Sequence, residues 1–241
     1  LEVIERISAD GSVTVKLDET SVVNAASKLK ERGVTAVAIC LLHSYINSSH
    51  EKRVEEIIRD IMPTGTFICS SYDVLPEIRE YERTSTTVVN AYLGPVLSHY
   101  LFQLRKKLND IKVSSPLYVM QSGGGQMSDS TAINLPAYFV ESGPAAGVVA
   151  AAAIAKRAGL EQIITLDIGG TTAKTAIVEG GEPSRTSEYE VGAGVNLSSK
   201  LVKGAGYSIK LPFIDVSEIG AGGGSVVWFD EGGLMLSLIH I

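Results

Sequence analysis

Six residues, Asp167-Ile168-Gly169-Gly170-Thr171-Thr172, combine an acid, two adjacent glycines and two hydroxyls. Glycines let a backbone approach a ligand closely, so that several N–H groups can converge on one anion. The hydroxyls of Thr171 and Thr172 add donors. An acid at the end of a strand can hold a hydrated cation that bridges phosphate oxygens. The pattern therefore suits a polyphosphate with its metal, and Asp167 is the candidate metal ligand. A Gly-Gly pair also serves a plain hairpin turn, and the residues alone leave both readings open. Neither the Walker spacing nor the G-x-G-x-x-G dinucleotide fingerprint is present.

Apolar β-branched runs on both sides, Ile163 to Leu166 and Ala173 to Val178, predict two strands that present this loop. Two further glycine runs are candidate ligand loops. Gly123-Gly124-Gly125 follows a predicted strand over Leu117 to Gln121, and strand ends are where α/β sheets bind ligands. Gly222-Gly223-Gly224-Ser225 precedes a predicted strand over Val226 to Phe229. Between these lies a helix rich in small residues, expected to start near Ser142 with that hydroxyl as its cap and to end near Gly159. Tight packing accounts for its alanines but not for Glu141 at its start, which makes Glu141 a second acidic candidate for catalysis. Lys200 and Lys203 sit in a Gly- and Ser-rich stretch and are read as solvated. His43, at a strand end, is read as structural, and no ligand spacing for a metal occurs elsewhere.

The Asp167 loop behind its small-residue helix resembles the connecting helix and second phosphate loop of actin, sugar kinases and heat-shock chaperones. The chain as a whole resembles the hydantoinase A/5-oxoprolinase family. That likeness is carried by Leu75-Pro76-Glu77-Ile78-Arg79-Glu80-Tyr81-Glu82-Arg83-Thr84-Ser85-Thr86-Thr87, continuing to Tyr92, by Met120-Gln121-Ser122-Gly123-Gly124-Gly125, by the Ser142 to Gly147 run, by the Asp167 loop and by Gly220 to Ser225. It implies an α/β fold of the ribonuclease-H-like, actin-like ATPase kind, with a mixed sheet, packed helices and an incomplete second lobe. It implies ATP and Mg²⁺ as cofactors, with Asp167 and Glu141 catalytic. Gly169, Gly170, Thr171, Thr172, Gly123, Gly124, Gly222, Gly223 and Gly224 would contact the nucleotide. The implied substrate is a small cyclic amide, hydantoin or 5-oxoproline, and the implied partner a hydantoinase B-like subunit or domain. Lys174 departs from the acid found at this place in many relatives. The resemblance therefore leaves two alternatives, an ATP-dependent ketone carboxylase subunit and a non-catalytic nucleotide-binding module.

Stepping along the chain, strands and helices alternate as in half an α/β domain up to about residue 72. Residues 1–72 are expected to be the end of an N-terminal hydantoinase/oxoprolinase domain and 73–241 the truncated start of the main domain. The missing first Asp-Gly-Gly-Thr loop of the family makes an internal fragment the expectation. Asp10-Gly11 marks a hairpin turn, and Ser48 with Glu51 marks a capping box. A long helix is expected from about Thr84 to Asn109, with Tyr92 and Tyr100 in the core. The net charge of −6 argues against non-specific nucleic-acid binding. No apolar run spans a bilayer. Cys40 and Cys69, each in an apolar run, are read as free thiols, which fits a cytoplasmic protein.

Overall fold

The computed structural model describes residues 1–191 and 206–238. The fold is mixed α/β, in two compact units. One comprises residues 1–119, 126–140 and 208–211, and the other residues 120–125, 141–207 and 212–241. Lys200 and Lys203 lie outside the described residues.

The first unit is built on a parallel strand pair, Ala36–Ile39 with Phe67–Ser70, in which Ala36 stands opposite Phe67 and Ile39 opposite Ser70. Parallel strands need a crossover, and the helix Ser49–Ile61 supplies it. That helix and the helix Glu19–Glu31 cover one face, burying Val22, Ala26, Val37, Ile39, Val54 and Ile58. Asp18 caps the first helix by accepting from the Thr20 N–H. The helix Glu80–Asp110 covers the other face. Gly94 lets it press close, because a Cβ there would lie 2.4 Å from the Phe67 ring.

Three expectations for these helices are corrected. Ser48 does take the N-cap position, but its hydroxyl makes no cap bond and Glu51 does not fold back to it. Glu51 is instead fully buried and accepts from the Leu41 N–H (2.6 Å), the Ser71 hydroxyl (2.7 Å) and the Tyr72 N–H (2.9 Å). It thus ties the crossover helix to the chain leaving both strands, which outweighs a local cap. The long helix begins four residues earlier than expected, at Glu80, after an Arg79 with positive φ. Its Tyr92 and Tyr100 are exposed rather than in the core, because the buried face carries Arg83, Thr87, Asn90, Ala91, Gly94 and Leu101. Small and polar residues there let the helix sit close to the sheet, so the large rings are left outside.

The second unit holds an antiparallel sheet in the order Val216–Ile219, Ala173–Glu179, Ile163–Ile168. The helix Ser142–Arg157 packs on one face through Ala145, Val148 and Ala152 against Ala176, Val178 and Ile214. The methyl-sized side chains bring helix and sheet together. Ser142 is the first helical residue rather than the cap. Glu141 takes that place in the left-handed conformation (φ 59°), with no side-chain cap bond.

Candidate functional site

The strands Ile163–Ile168 and Ala173–Glu179 present the Asp167 to Thr172 loop, as the alternation of the sequence requires. The same hairpin sheet provides an internal control for its glycines. Gly180 and Gly181, at the next turn, both have positive φ (59° and 78°), which is what a tight hairpin demands of glycine. Gly169 and Gly170 do not enter that region. A Cβ at Gly170 would meet nothing within 4 Å. Neither turn geometry nor packing therefore calls for glycine at 170.

The Gly222 to Gly224 run packs directly on this loop. Gly223 N–H donates to Gly169 O and Gly224 N–H to Gly170 O, both at 2.8 Å. Gly222 N–H donates to Ser225 Oγ at 3.0 Å. A Cβ at Gly222 would lie 2.6 Å from Gly169 O and 2.8 Å from Thr172 N. These glycines are thus spent on holding the loop from behind, with their N–H groups engaged by protein. Thr171 is exposed and Thr172 half-buried. Among the described residues, the N–H groups of Gly170 and Thr171 have no protein acceptor.

Gly123 and Gly124 are placed differently. Gly124 has φ 85°, and a Cβ there would meet Ile214 and Val149 at 3.0 Å. At Gly123 a Cβ would lie 3.0 Å from Pro212 O. Packing of the strand-end turn against the 212–214 segment accounts for both.

Asp167 stands opposite Lys174 in the strand register, and Lys174 opposite Glu218 on its other side. All three project from the face that packs on the small-residue helix, because they alternate with Leu166, Thr175 and Ser217. Lys174 Nζ lies 3.6 Å from Glu218 and 3.8 Å from Glu141 at the helix start. Two carboxylates therefore flank one ammonium group beside the loop. Asp167 and Lys174 also line a hollow of about 310 Å³ whose other walls include Pro144, Gly147, Val148 and Ala151. Tyr189 stacks on Phe213 with ring centroids 4.8 Å apart. Burial, and then the negative charge of Glu141 and Glu218, pushes its phenol above the ordinary value.

Glu218 and Tyr189 are the members of this cluster that motif reading passes over. The signal for Glu218 is its two-residue spacing from the apolar Val216, which places both on the helix-facing side. Tyr189 carries no such signal, since its neighbourhood depends on chain closure. Among the described residues no group of three or more His, Cys, Asp or Glu side chains can hold a metal by itself. A Mg²⁺ ion held by the exposed Asp167 would take its remaining ligands from phosphate and water, which is how this ion is commonly bound. The excess of carboxylates over cations around Lys174 fits that demand. Among the described residues no helix is long and apolar enough to cross a membrane.

A family model described as Hydantoinase/oxoprolinase matches residues 83–236, and one for the Hydantoinase/oxoprolinase N-terminal region matches residues 1–62. The uncharacterized protein MJ0964 of Methanocaldococcus jannaschii is 44% identical over 96% of this chain and 34% of its own length. The caprolactamase subunit alpha of Pseudomonas jessenii is 34% identical over 95% of this chain and 31% of its own. A nucleotide-free acetone carboxylase structure superposes with a TM-score of 0.78 at 26% identity, covering 98% of this chain and 32% of that one. The chain thus spans about a third of the length of these relatives.

Proposed function

Because the chain belongs to the hydantoinase/oxoprolinase family, we propose that it carries the phosphate-binding part of an ATP-dependent hydrolase that opens a cyclic amide such as hydantoin or 5-oxoproline. The observation that carries this reading is Gly170, a glycine that neither turn nor packing requires, in a loop braced from behind by Gly222 to Gly224. The ribonuclease-H-like, actin-like ATPase architecture belongs to the same proposal.

In this reading the backbone N–H groups of Gly170 and Thr171, with the hydroxyls of Thr171 and Thr172, hold the terminal phosphates of ATP. Gly169, Gly222, Gly223 and Gly224 keep the loop in shape. Gly123 and Gly124 shape the neighbouring turn. Asp167 would hold a hydrated Mg²⁺ ion, which would supply charge neutralisation on the phosphate oxygens. The amide oxygen of the substrate attacks the γ-phosphorus and ADP leaves. Water then adds to the activated carbonyl carbon and the ring C–N bond breaks, giving an amine and an acyl phosphate, and a second water hydrolyses the acyl phosphate to carboxylate and phosphate. Positioning and electrostatics dominate the first step. Glu141, which lies 3.8 Å from Lys174, takes a proton from the attacking water in this reading.

A second reading, a subunit of an ATP-dependent ketone carboxylase, is favoured by the likeness to acetone carboxylase and by Lys174 in place of an acid. In either enzyme a companion subunit is expected, hydantoinase B-like for the amidase. The caprolactamase relative is itself named a subunit. The proposed setting is the cytoplasm, without nucleic acid or membrane.

The test is ADP release by the complete gene product with hydantoin, 5-oxoproline, or acetone plus bicarbonate. The amidase reading predicts stimulation by a cyclic amide and loss of that stimulation in Asp167→Asn. Stimulation by the ketone alone would replace it with the carboxylase. ATP turnover indifferent to every substrate would leave only an actin- or chaperone-like nucleotide module.

A further inference from the structure

Lys174 stands on the central strand with an acid directly opposite on each side, Asp167 on one neighbouring strand and Glu218 on the other. Side chains directly opposite on one sheet face lie within reach of each other, and opposite charges there ordinarily pair. One ammonium therefore has two cross-strand carboxylates to choose from. It leans to Glu218, at 3.6 Å, where Glu141 from the helix start also approaches, to 3.8 Å. Asp167 makes no hydrogen bond or ion pair among the described residues. Charge and burial explain the choice. Two carboxylates attract one ammonium more strongly than one does. Asp167 is exposed, whereas the Glu218 side chain is only 13% exposed, so water and salt screen the Glu218 charge less.

We propose that Glu218, supported by Glu141, is a positioning residue for the metal site: it holds the Lys174 ammonium off Asp167 and so leaves that carboxylate to a divalent cation. The proposal rests on the reading that Asp167 is the protein's ligand to the metal. A lysine released from Glu218 needs only to turn about its own side-chain bonds to reach the acid opposite. An ammonium tethered so close competes with free metal at an effective concentration on the order of millimolar. A carboxylate already neutralised by that ammonium attracts a divalent ion less. Glu218 thus acts on the metal through Lys174 and needs no contact with it.

The test is ADP-dependent binding of Mn²⁺ to the complete gene product, read from loss of the free ion's electron paramagnetic resonance signal. Glu218→Gln should weaken that binding about tenfold, with a circular dichroism spectrum like the parent's. Glu218→Asp, which keeps the charge, should stay near the parent. Lys174→Met should tighten binding about tenfold in the Glu218→Gln background but by about twofold or less in the parent. A charge acting only through its general field would give Lys174→Met the same factor in both backgrounds, and equal factors overturn the proposal. So does parent-like Mn²⁺ affinity in Glu218→Gln. The same cycle built on Glu141→Gln should show the same pattern with a smaller factor, and it decides the matter if Glu218→Gln unfolds. Asp167→Asn isolates the underlying reading. It should abolish the ADP-dependent binding, and binding that survives it removes Asp167 from the metal site and the proposal with it.

Discussion

Gly222→Ala isolates the brace beneath the phosphate loop. The added Cβ would lie 2.6 Å from Gly169 O, 2.8 Å from Thr172 N and 2.9 Å from Gly170 C. All three are backbone atoms, so no side-chain rotation relieves the clash. The loop and the glycine run must separate, and the two 2.8 Å bonds from Gly223 and Gly224 stretch with them. Two such bonds contribute about 2 kcal/mol together. Overpacking adds about 1–3 kcal/mol. The expected destabilisation of the second unit is therefore about 3–5 kcal/mol. Gly222 does not have positive φ, so backbone strain does not confound the comparison. Urea unfolding gives the total. Amide hydrogen exchange at Gly223 and Gly224 locates it, and both should lose protection. Gly223→Ala is the control, since its Cβ would sit at an ordinary 3.5 Å from Gly169 O and should cost under about 1 kcal/mol. Equal stability of the Gly222 and Gly223 variants would refute the close packing of the two segments.

Two predictions concern the first unit. Burial pushes the Glu51 carboxyl up against the downward pull of its donors, Ser71, Leu41 and Tyr72. Its proton is thus held more tightly folded than unfolded. That contribution to stability is fully present below the ordinary value of 4.5 and is lost as pH rises through the raised folded value. Glu51→Gln, which loses an acceptor oxygen, should cost about 1–3 kcal/mol, with the difference from the parent shrinking as pH rises over this window in urea titrations. A constant or widening gap would contradict the sign. Burial also raises both thiols, Cys69 to about 12 and Cys40 in the same direction. Neither should react with Ellman's reagent at pH 8 until the chain unfolds, and rapid reaction of Cys69 in the native chain would show that its strand opens readily.

Much of the fold was legible because short-range rules acted alone. Gly11 in a turn and the β-branched run of Ile163 to Leu166 each specify local structure. Tyr92 and Tyr100 were misread because a helical stripe gives two faces and does not say which one the sheet takes. That choice fell to the small residues Ala91 and Gly94, which allow closer approach. Glu51 looked like half of a capping box because its competing donors, Leu41, Ser71 and Tyr72, are distant in sequence. In the site, the Asp167 loop and Glu141 were visible as types in a pattern. Visible, too, was the Gly222 run, but not its engagement of Gly169 and Gly170, which only the folded sheet creates. Lys174 was noticed as a departure from the family's acid. That it stands opposite Glu218 follows from strand register, and its approach to Glu141 from the packing of the helix on the sheet, neither of which the sequence prints.

The central claim is that glycine at position 170 exists for the ligand and not for the fold. Gly170→Val measures this most directly, because open space surrounds the site of the new side chain and no positive φ forbids it. The account predicts a variant of the complete gene product whose thermal midpoint matches the parent's, while calorimetric titration with MgATP shows binding lost. Parent-like MgATP affinity in a folded Gly170→Val protein would contradict it and reduce the Asp167 loop to a turn.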